Sequence, residues 1–231
     1  EACAAALAQI GGEVLPLDSV AGGAGRVGFT RRMPYGVVAG ITPFNAPINL
    51  LVQKVAPAIA AGNAIVVKPA PAGTRTALRL AELLVAAGWP LDLFNVVTGD
   101  RETASTLVRD PEVRAVSFTG STAGGEALAR AAGAKKFVAE LGSNAANIVM
   151  ADADLDDAAK KIAGAAFEAS GQQCISAQRV LVAQSAFESF LDKFVAAASA
   201  LKVGRADDET SDLGPMVSTA AAERVIAMCQ E

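Results

Sequence analysis

Five short apolar runs alternate with helix-like windows before residue 141, and this alternation constrains the fold more than any other feature of the chain. The runs predict strands at Val37 to Ile41, Ala64 to Val67, Phe94 to Val97, Ala115 to Phe118 and Phe137 to Ala139. The windows predict helices at Leu50 to Ala61, Thr74 to Ala87, Glu102 to Val108 and Thr122 to Ala132. Apolar strands separated by helices are typical of a parallel sheet covered on both faces. The sequence therefore predicts an α/β fold with a Rossmann-like parallel sheet.

Two regions flank this pattern. Before it, glycine turns and an extended run near residues 14–33 predict a hairpin. After Asn147, Asp154 begins a helix that runs toward Glu168, and Arg179 to Ala183 predicts a strand. An apolar helical face that we expect to be core follows, formed by Phe187, Phe190, Leu191, Phe194, Val195 and Ala198. We therefore predict one lobe at 1–142 and the beginning of a second α/β lobe at 143–231.

Composition excludes several classes of protein. The 231 residues carry a net charge of −4, so the clustered Lys and Arg of a nucleic-acid or membrane-surface protein are missing. Apolar stretches are much shorter than the roughly 20 residues of a membrane span. The three cysteines form neither a disulfide framework nor a CxxC pair, which predicts a cytoplasmic protein without a metal site.

Cys174 is the candidate nucleophile, because it lies in a loop of small residues. The chain contains no histidine. Every Cys-His or Ser-His-Asp mechanism within this chain is therefore excluded. A carboxylate or a lysine must act as the general base. Glu140 is a candidate, since it follows the last apolar run, where parallel sheets place their sites.

Five segments resemble motifs of the aldehyde dehydrogenase superfamily and occur in the family's order. FEASGQQC at 167–174 matches the family pattern FxxxGQxC completely, whereas ELGSN at 140–144 carries Ser143 where the family usually has glycine. The other three are ITPFNAP at 41–47, VKPA at 67–70 and SFTGST at 117–122. Together the five segments extend from residue 41 to residue 174.

The resemblance implies oxidation of a small-molecule aldehyde to a carboxylic acid. The Cys174 thiolate would form a thiohemiacetal, hydride would pass to a nicotinamide, and the resulting thioester would be hydrolysed. Asn45 and the Cys174 backbone N–H would hold the oxyanion, and Glu140 would activate the water. Coenzyme-A-acylating members generally lack this glutamate, so the resemblance implies the hydrolytic branch.

The resemblance also implies NAD or NADP as cofactor, with Lys68 on the adenosine ribose and Ser121 on a phosphate. NAD-preferring members usually carry an acid where this chain has Pro71, and losing that acid removes an electrostatic bar to NADP. Arg75 is a candidate phosphate partner. The cofactor-binding residues implied by the resemblance are Thr42, Pro43, Phe44, Lys68, Pro71, Gly120, Ser121, Gly125 and Leu141.

The family pattern further implies that the hairpin near 14–33 projects and pairs subunits in a homodimer or homotetramer. Family members have roughly twice this length, so the chain resembles an internal piece of such an enzyme. Two alternatives remain open: a non-catalytic fragment, and a cofactor-independent thioesterase or esterase that uses Cys174 and Glu140. The sequence does not identify the aldehyde.

Overall fold

The computed structural model describes residues 2–230 as two compact units, divided between Glu140 and Leu141. The first unit opens with helix α1 (Ala2–Leu7) and a ribbon of two short antiparallel strands, β1 (Val14–Leu15) and β2 (Gly28–Phe29). The ribbon confirms the predicted hairpin. The functional assignment of the two predicted lobes stays a prediction.

A five-stranded parallel sheet forms the centre of the first unit, as the alternating pattern predicts. Its strands are β3 (Val37–Thr42), β4 (Ala64–Pro69), β5 (Phe94–Val96), β6 (Val113–Thr119) and β7 (Lys136–Glu140). Their order across the sheet is β5-β4-β3-β6-β7, and every neighbouring pair is parallel. The chain thus builds outward from β3 to β5 and then returns to the other side of β3. This reversal of strand order is the point where open α/β sheets bind ligands.

Helices cover both faces of the sheet. On one face, α2 (Pro47–Ala60) and α3 (Thr74–Ala86) enclose an apolar core with Leu51, Ile65 and Val67 at its centre, all fully buried. Side chains of opposite parity along the strands face α4 (Arg101–Arg109) and α5 (Thr122–Ala132), which bury Val108 and Leu128.

Strand β7 departs from the expectation that all five strands are buried. Val138 is 49% exposed, and only Phe137 of this strand is partly buried, stacking on Phe118 with 6.4 Å between ring centroids. The physical reason is that β7 is the last element of the first unit, so no later helix of that unit packs on it. The other edge strand, β5, is followed by α4 and buries Phe94. An apolar run alone does not distinguish an edge strand from a central one.

The second unit is built on two parallel strands, β8 (Ala146–Val149) and β9 (Arg179–Val182). Helices α6 (Leu155–Phe167) and α7 (Phe187–Ser199) pack on them around Val149, Ala159 and Phe190, and α8 (Thr219–Met228) follows. Asp154 caps α6 by accepting hydrogen bonds from two backbone N–H groups, at 3.1 Å each, which confirms the predicted helix start.

The aromatic face of α7 is only partly core. Phe190 is buried and Phe194 is partly buried, with 5.8 Å between their ring centroids, but Phe187, Leu191 and Val195 are exposed. The expectation that this face is core is therefore met at Phe190 and Phe194 but not at Phe187, Leu191 and Val195. A sheet of two strands and one neighbouring helix covers a narrower strip of α7 than its apolar pattern occupies.

Candidate active site

The register of the parallel strands aligns the predicted site residues of the first unit at one edge. Ile41 pairs with both Lys68 and Phe118, and Thr119 pairs with Glu140, so β3, β4, β6 and β7 end at the same level. The residues that this alignment places at or just beyond the carboxyl edge are Thr42, Pro43, Phe44, Asn45, Lys68, Pro71, Gly120, Ser121, Gly125 and Glu140. Leu141 begins the second unit.

The loop after β3 presents Asn45. Thr42 is buried and its carbonyl accepts a hydrogen bond of 2.9 Å from the N–H of Ala70, which joins this loop to the one after β4. Pro47 starts α2, where its missing N–H costs nothing. Asn45 lies half-buried between these two fixed points.

The turn after β6 leads into the N-terminus of α5. Gly120 donates its N–H to the Glu140 carbonyl at 3.1 Å, and Ser121 caps α5 by accepting from the Gly124 N–H at 3.2 Å. A Cβ on Gly120 would lie 2.7 Å from the Phe118 ring, so the turn requires glycine to pass this close to the ring. The unpaired N–H groups and the dipole at the start of an 11-residue helix favour negative charge.

A cavity of about 600 Å³ lies beside this turn, between α4 and α5. Its lining includes Phe118, Lys68, Ser121 and two arginines, Arg101 and Arg109. Burial lowers the pKa of Lys68, and the negative charge of Asp100 opposes that shift. The size is ordinary for a small-molecule site. Its charged lining has three basic side chains, Lys68, Arg101 and Arg109, and one acidic side chain, Glu102.

Pro71 begins a short 3₁₀ turn after β4 and lines a second, shallower cavity together with Asp100. The Asp100 carboxylate caps α4 by accepting from the N–H groups of Glu102 and Thr103 at 3.0 and 3.2 Å, and these bonds lower its pKa. A carboxylate therefore stands near the position where the sequence lacks one. Arg75 is exposed, whereas Arg101, which we did not single out from the sequence, lines the larger cavity.

Lys54 is a site residue that the sequence analysis missed. It lies in α2, is 7% exposed, and donates hydrogen bonds to Ser117 Oγ at 3.2 Å and Thr119 Oγ1 at 2.7 Å. Burial lowers its pKa from 10.5 to about 8, and the negative charge of Glu140 partly opposes this shift. The sequence does contain a signal for it. Lys54 comes three residues after Leu51 and one before Val55, and this spacing places it on the apolar face of the helix.

Cys174 belongs to the second unit and is exposed there. It follows a 3₁₀ turn, Glu168–Gly171, in which three consecutive residues adopt left-handed backbone angles: Ala169 (φ 49°), Ser170 (φ 60°) and Gly171 (φ 70°). Glycine tolerates such angles, but alanine and serine do not adopt them freely. Strain of this kind clusters at functional sites.

The buried ammonium of Lys54 should make stability depend on pH. The unfolded chain binds a proton that the folded chain lacks between pH 8 and 10.5, so the free energy of unfolding should rise with pH by about 2 kcal/mol between pH 8 and 10. Urea unfolding of Lys54→Met should lack this rise. Lys136→Met, which removes an exposed lysine of β7, should retain it. Identical pH dependence in wild type and Lys54→Met would contradict the burial of a shifted lysine.

Within residues 2–230, no helix is long and apolar enough to cross a membrane, and no group of three or more Cys, Asp or Glu side chains is arranged to hold a metal ion.

Known proteins resemble the chain over its whole length. A 3-sulfolactaldehyde dehydrogenase of Priestia aryabhattai is 44% identical over 218 residues, which are 94% of this chain and 46% of that protein. The structure of an NAD-dependent aldehyde dehydrogenase from Sinorhizobium meliloti superposes with a TM-score of 0.91 at 36% identity, covering 99% of this chain and 45% of that one. An NADP-dependent enzyme of E. coli superposes with a TM-score of 0.90 at 37% identity, covering 96% and 46%.

The chain therefore spans about half the length of the relatives that it matches. The sequence profile of the aldehyde dehydrogenase family matches residues 1–231, and both the parallel sheet and the motif loops agree with that match. The chain belongs to the aldehyde dehydrogenase family.

Proposed function

We propose that a full-length protein carrying this chain oxidises an aldehyde to a carboxylic acid with NAD or NADP. The observation that carries the proposal is the alignment of Asn45, Lys68, Ser121 and Glu140 at one edge of one parallel sheet. An oxyanion donor, two cofactor contacts and a general base are the parts that this reaction needs. The named relatives act on aldehydes, and the resembling structures include NAD- and NADP-dependent enzymes.

The first unit suits a dinucleotide by the chemistry of its donors. The N–H groups at the start of α5 can hold a pyrophosphate, with Ser121 at the helix cap. Lys68 lies in the adjoining cavity and can donate to ribose hydroxyls. A bound nicotinamide ring would accept the hydride, which carries both electrons of the oxidation, and this chain's own side chains offer no such acceptor.

Cys174 is the proposed nucleophile. Its thiolate adds to the aldehyde carbon to form a thiohemiacetal, and loss of hydride from that carbon leaves a thioester on the same sulfur. The Asn45 side-chain amide is the proposed donor to the oxygen that becomes negative, a contribution of about 10²- to 10³-fold in rate for a well-aimed donor.

Glu140 is the proposed base for the final step, hydrolysis of the thioester. Its carboxylate takes a proton from water, which then attacks the thioester carbon and releases the acid and the Cys174 thiolate. Lys54 acts on this group electrostatically, because its ammonium and the carboxylate attract each other inside one unit. The chain thus needs no histidine for general-base catalysis.

Two other functions differ from the proposed one in whether they need the cofactor. A cofactor-independent thioesterase would use Cys174 and Glu140 but would not need the nucleotide cavity beside Ser121. A non-catalytic piece would bind cofactor without turnover. Measuring aldehyde oxidation and thioester hydrolysis with and without NAD(P) separates the three, because only the dehydrogenase couples turnover to cofactor reduction.

Cys174→Ala in the full-length protein should abolish aldehyde oxidation and leave the Kd for NAD(P) within about twofold, because Ala retains the backbone but cannot form the thiohemiacetal. Absorbance of the reduced nicotinamide and calorimetric titration measure the two quantities. Cys229→Ala, at an exposed cysteine after α8, is the matched control and should keep full activity. Turnover in Cys174→Ala would contradict the nucleophile assignment.

Glu140→Gln should slow thioester hydrolysis more than hydride transfer, since the amide cannot take the water proton. Stopped-flow measurements should then show a burst of reduced cofactor followed by a steady rate about 10²-fold below wild type. Glu112→Gln, an exposed glutamate just before β6 and so at the opposite edge of the sheet, should behave as wild type. An equal fall in burst and steady rates would show that Glu140 is not the deacylation base.

The full-length enzyme should use NADP at least comparably to NAD, because Pro71 carries no charge that would oppose a 2′-phosphate and Arg101 lines the adjoining cavity. Pro71→Glu should lower kcat/KM and affinity for NADP relative to NAD. Pro90→Glu, which adds the same charge just before β5, should not change the ratio. A wild-type preference for NAD that Pro71→Glu leaves unmoved would assign the choice to another residue, with Asp100 the nearest candidate.

We also propose that the full-length protein is a cytoplasmic homodimer or homotetramer. The β1–β2 ribbon exposes Val14, Val27 and Phe29 by more than two-thirds, a pattern expected of strands that pair with a second copy in a homodimer or homotetramer. Light scattering of Val27→Lys should report a smaller assembly if the ribbon pairs copies. The free cysteines favour the cytoplasm.

A further inference from the structure

The loop that carries Cys174 is held by two side chains outside the catalytic set. Ser170 Oγ donates a hydrogen bond of 2.6 Å to the Gly214 carbonyl, which lies 44 residues further along the chain. Gln172 Oε1 accepts from the Val217 N–H at 3.0 Å. The nucleophile loop is thereby joined at two points to the segment 214–217.

The Gln172 side chain joins Ala169 of the loop to Val217 of the segment 214–217. Its Nε2 donates to the Ala169 carbonyl at 3.0 Å while its Oε1 binds Val217, so one amide uses both ends of its dipole. An amide is the side chain that offers a donor and an acceptor at this spacing. A carboxylate could accept from Val217 but could not, when ionised, donate to Ala169.

The segment 214–217 is itself anchored on both sides. Before it, Asp212 is hydrogen-bonded to residue 202 through both its N–H and its carboxylate, and Gly204 donates to the Leu213 carbonyl. After it, Ser218 caps α8 by accepting from the Ala221 N–H at 3.2 Å. Contacts to this segment therefore join the nucleophile loop to a segment that is itself hydrogen-bonded on both sides.

These contacts offset the strain in the loop. Ala169 and Ser170 hold left-handed backbone angles that cost free energy for residues with a Cβ, and such angles persist only where surrounding contacts impose them. The bonds from Ser170 and Gln172 lie on the strained residues or directly beside them. Without these hydrogen bonds, other backbone conformations of the turn have lower free energy. Each of them would place the Cys174 sulfur differently.

We propose that Ser170 and Gln172 are positioning residues, a latch that binds the strained 169–172 turn to segment 214–217 and so sets where Cys174 presents its sulfur. The inference rests on the proposed role of Cys174 as nucleophile. The latch acts before chemistry, so it should affect formation of the thiohemiacetal and not the affinity for the cofactor.

The test uses two graded substitutions in the full-length protein. Gln172→Leu removes the bonds to Ala169 and Val217, whereas Gln172→Glu keeps the acceptor for Val217 and loses the donor to Ala169. Hydrogen exchange of the peptide spanning 169–176 should be about tenfold faster in Gln172→Leu, with Gln172→Glu intermediate. The burst rate of reduced cofactor should fall in the same order, and the KM for NAD(P) should stay within about twofold.

A serine series separates strain from hydrogen bonding. Ser170→Ala loses the bond to Gly214 and keeps the strained angle, so it should lose burst rate. Ser170→Asn should recover most of it, because asparagine tolerates left-handed angles and its amide can donate. This series also keeps the test valid if a Gln172 variant fails to fold. Gln178→Ala, an exposed glutamine four residues after Cys174, is the control and should match wild type.

Unchanged hydrogen exchange in both Gln172→Leu and Ser170→Ala would overturn the latch, and so would faster exchange with an unchanged burst rate. A parallel rise in the KM for NAD(P) would indicate a general loss of structure and also count against positioning. Turnover in Cys174→Ala would contradict the nucleophile instead, and because exchange is measured without substrate, the two failures are distinguishable.

Discussion

The backbone hydrogen-bond ladder that holds β3 between β4 and β6 is the interaction on which the rest of the first unit depends. Ile41 is opposite Lys68 on one side and Phe118 on the other, so the three strands end together and their loops begin at one level. Shifting one strand by a single residue would exchange its two faces, placing core side chains such as Val67 where Lys68 now lies. The buried contacts of Leu51, Ile65 and Val67 stabilise this register because they can be made in no other.

The electrostatics of the site follow from where this sheet ends. Lys54 and Lys68 are both buried cations, and each lies near one carboxylate, Glu140 and Asp100 respectively. Burying an ammonium group costs free energy, and a nearby carboxylate lowers that cost. The charge of each lysine can still change with pH or with a bound ligand. In a chain without histidine, these lysines and carboxylates are the groups available for proton handling.

In the second unit, Cys174 follows a turn of residues with left-handed backbone angles. Small residues before Cys174 permit a left-handed turn, but small residues alone would leave it flexible. Contacts from Ser170 and Gln172 to a segment more than 40 residues away supply the missing constraint. The glycine and glutamine of this family motif thus have separable physical roles: Gly171 permits the backbone angle, and Gln172 ties the turn down.

Sequence by itself determined the parallel α/β architecture, the hairpin and the motif loops, because periodicity, apolar runs and motif residues are local properties of a chain. It also placed Cys174, Glu140, Asn45, Lys68 and Ser121 as candidates, although their roles stay proposals. Tertiary structure alone decided which strands are neighbours and that β7 is exposed. It also decided that Phe190 and Phe194 of the α7 stripe pack inward while Phe187, Leu191 and Val195 are exposed. It likewise decided that Lys54 faces Ser117 and Thr119, and that Ser170 meets Gly214. The Lys54 and Ser170 contacts join residues 44 to 65 positions apart, and such long-range pairs leave no periodic signal in a single sequence.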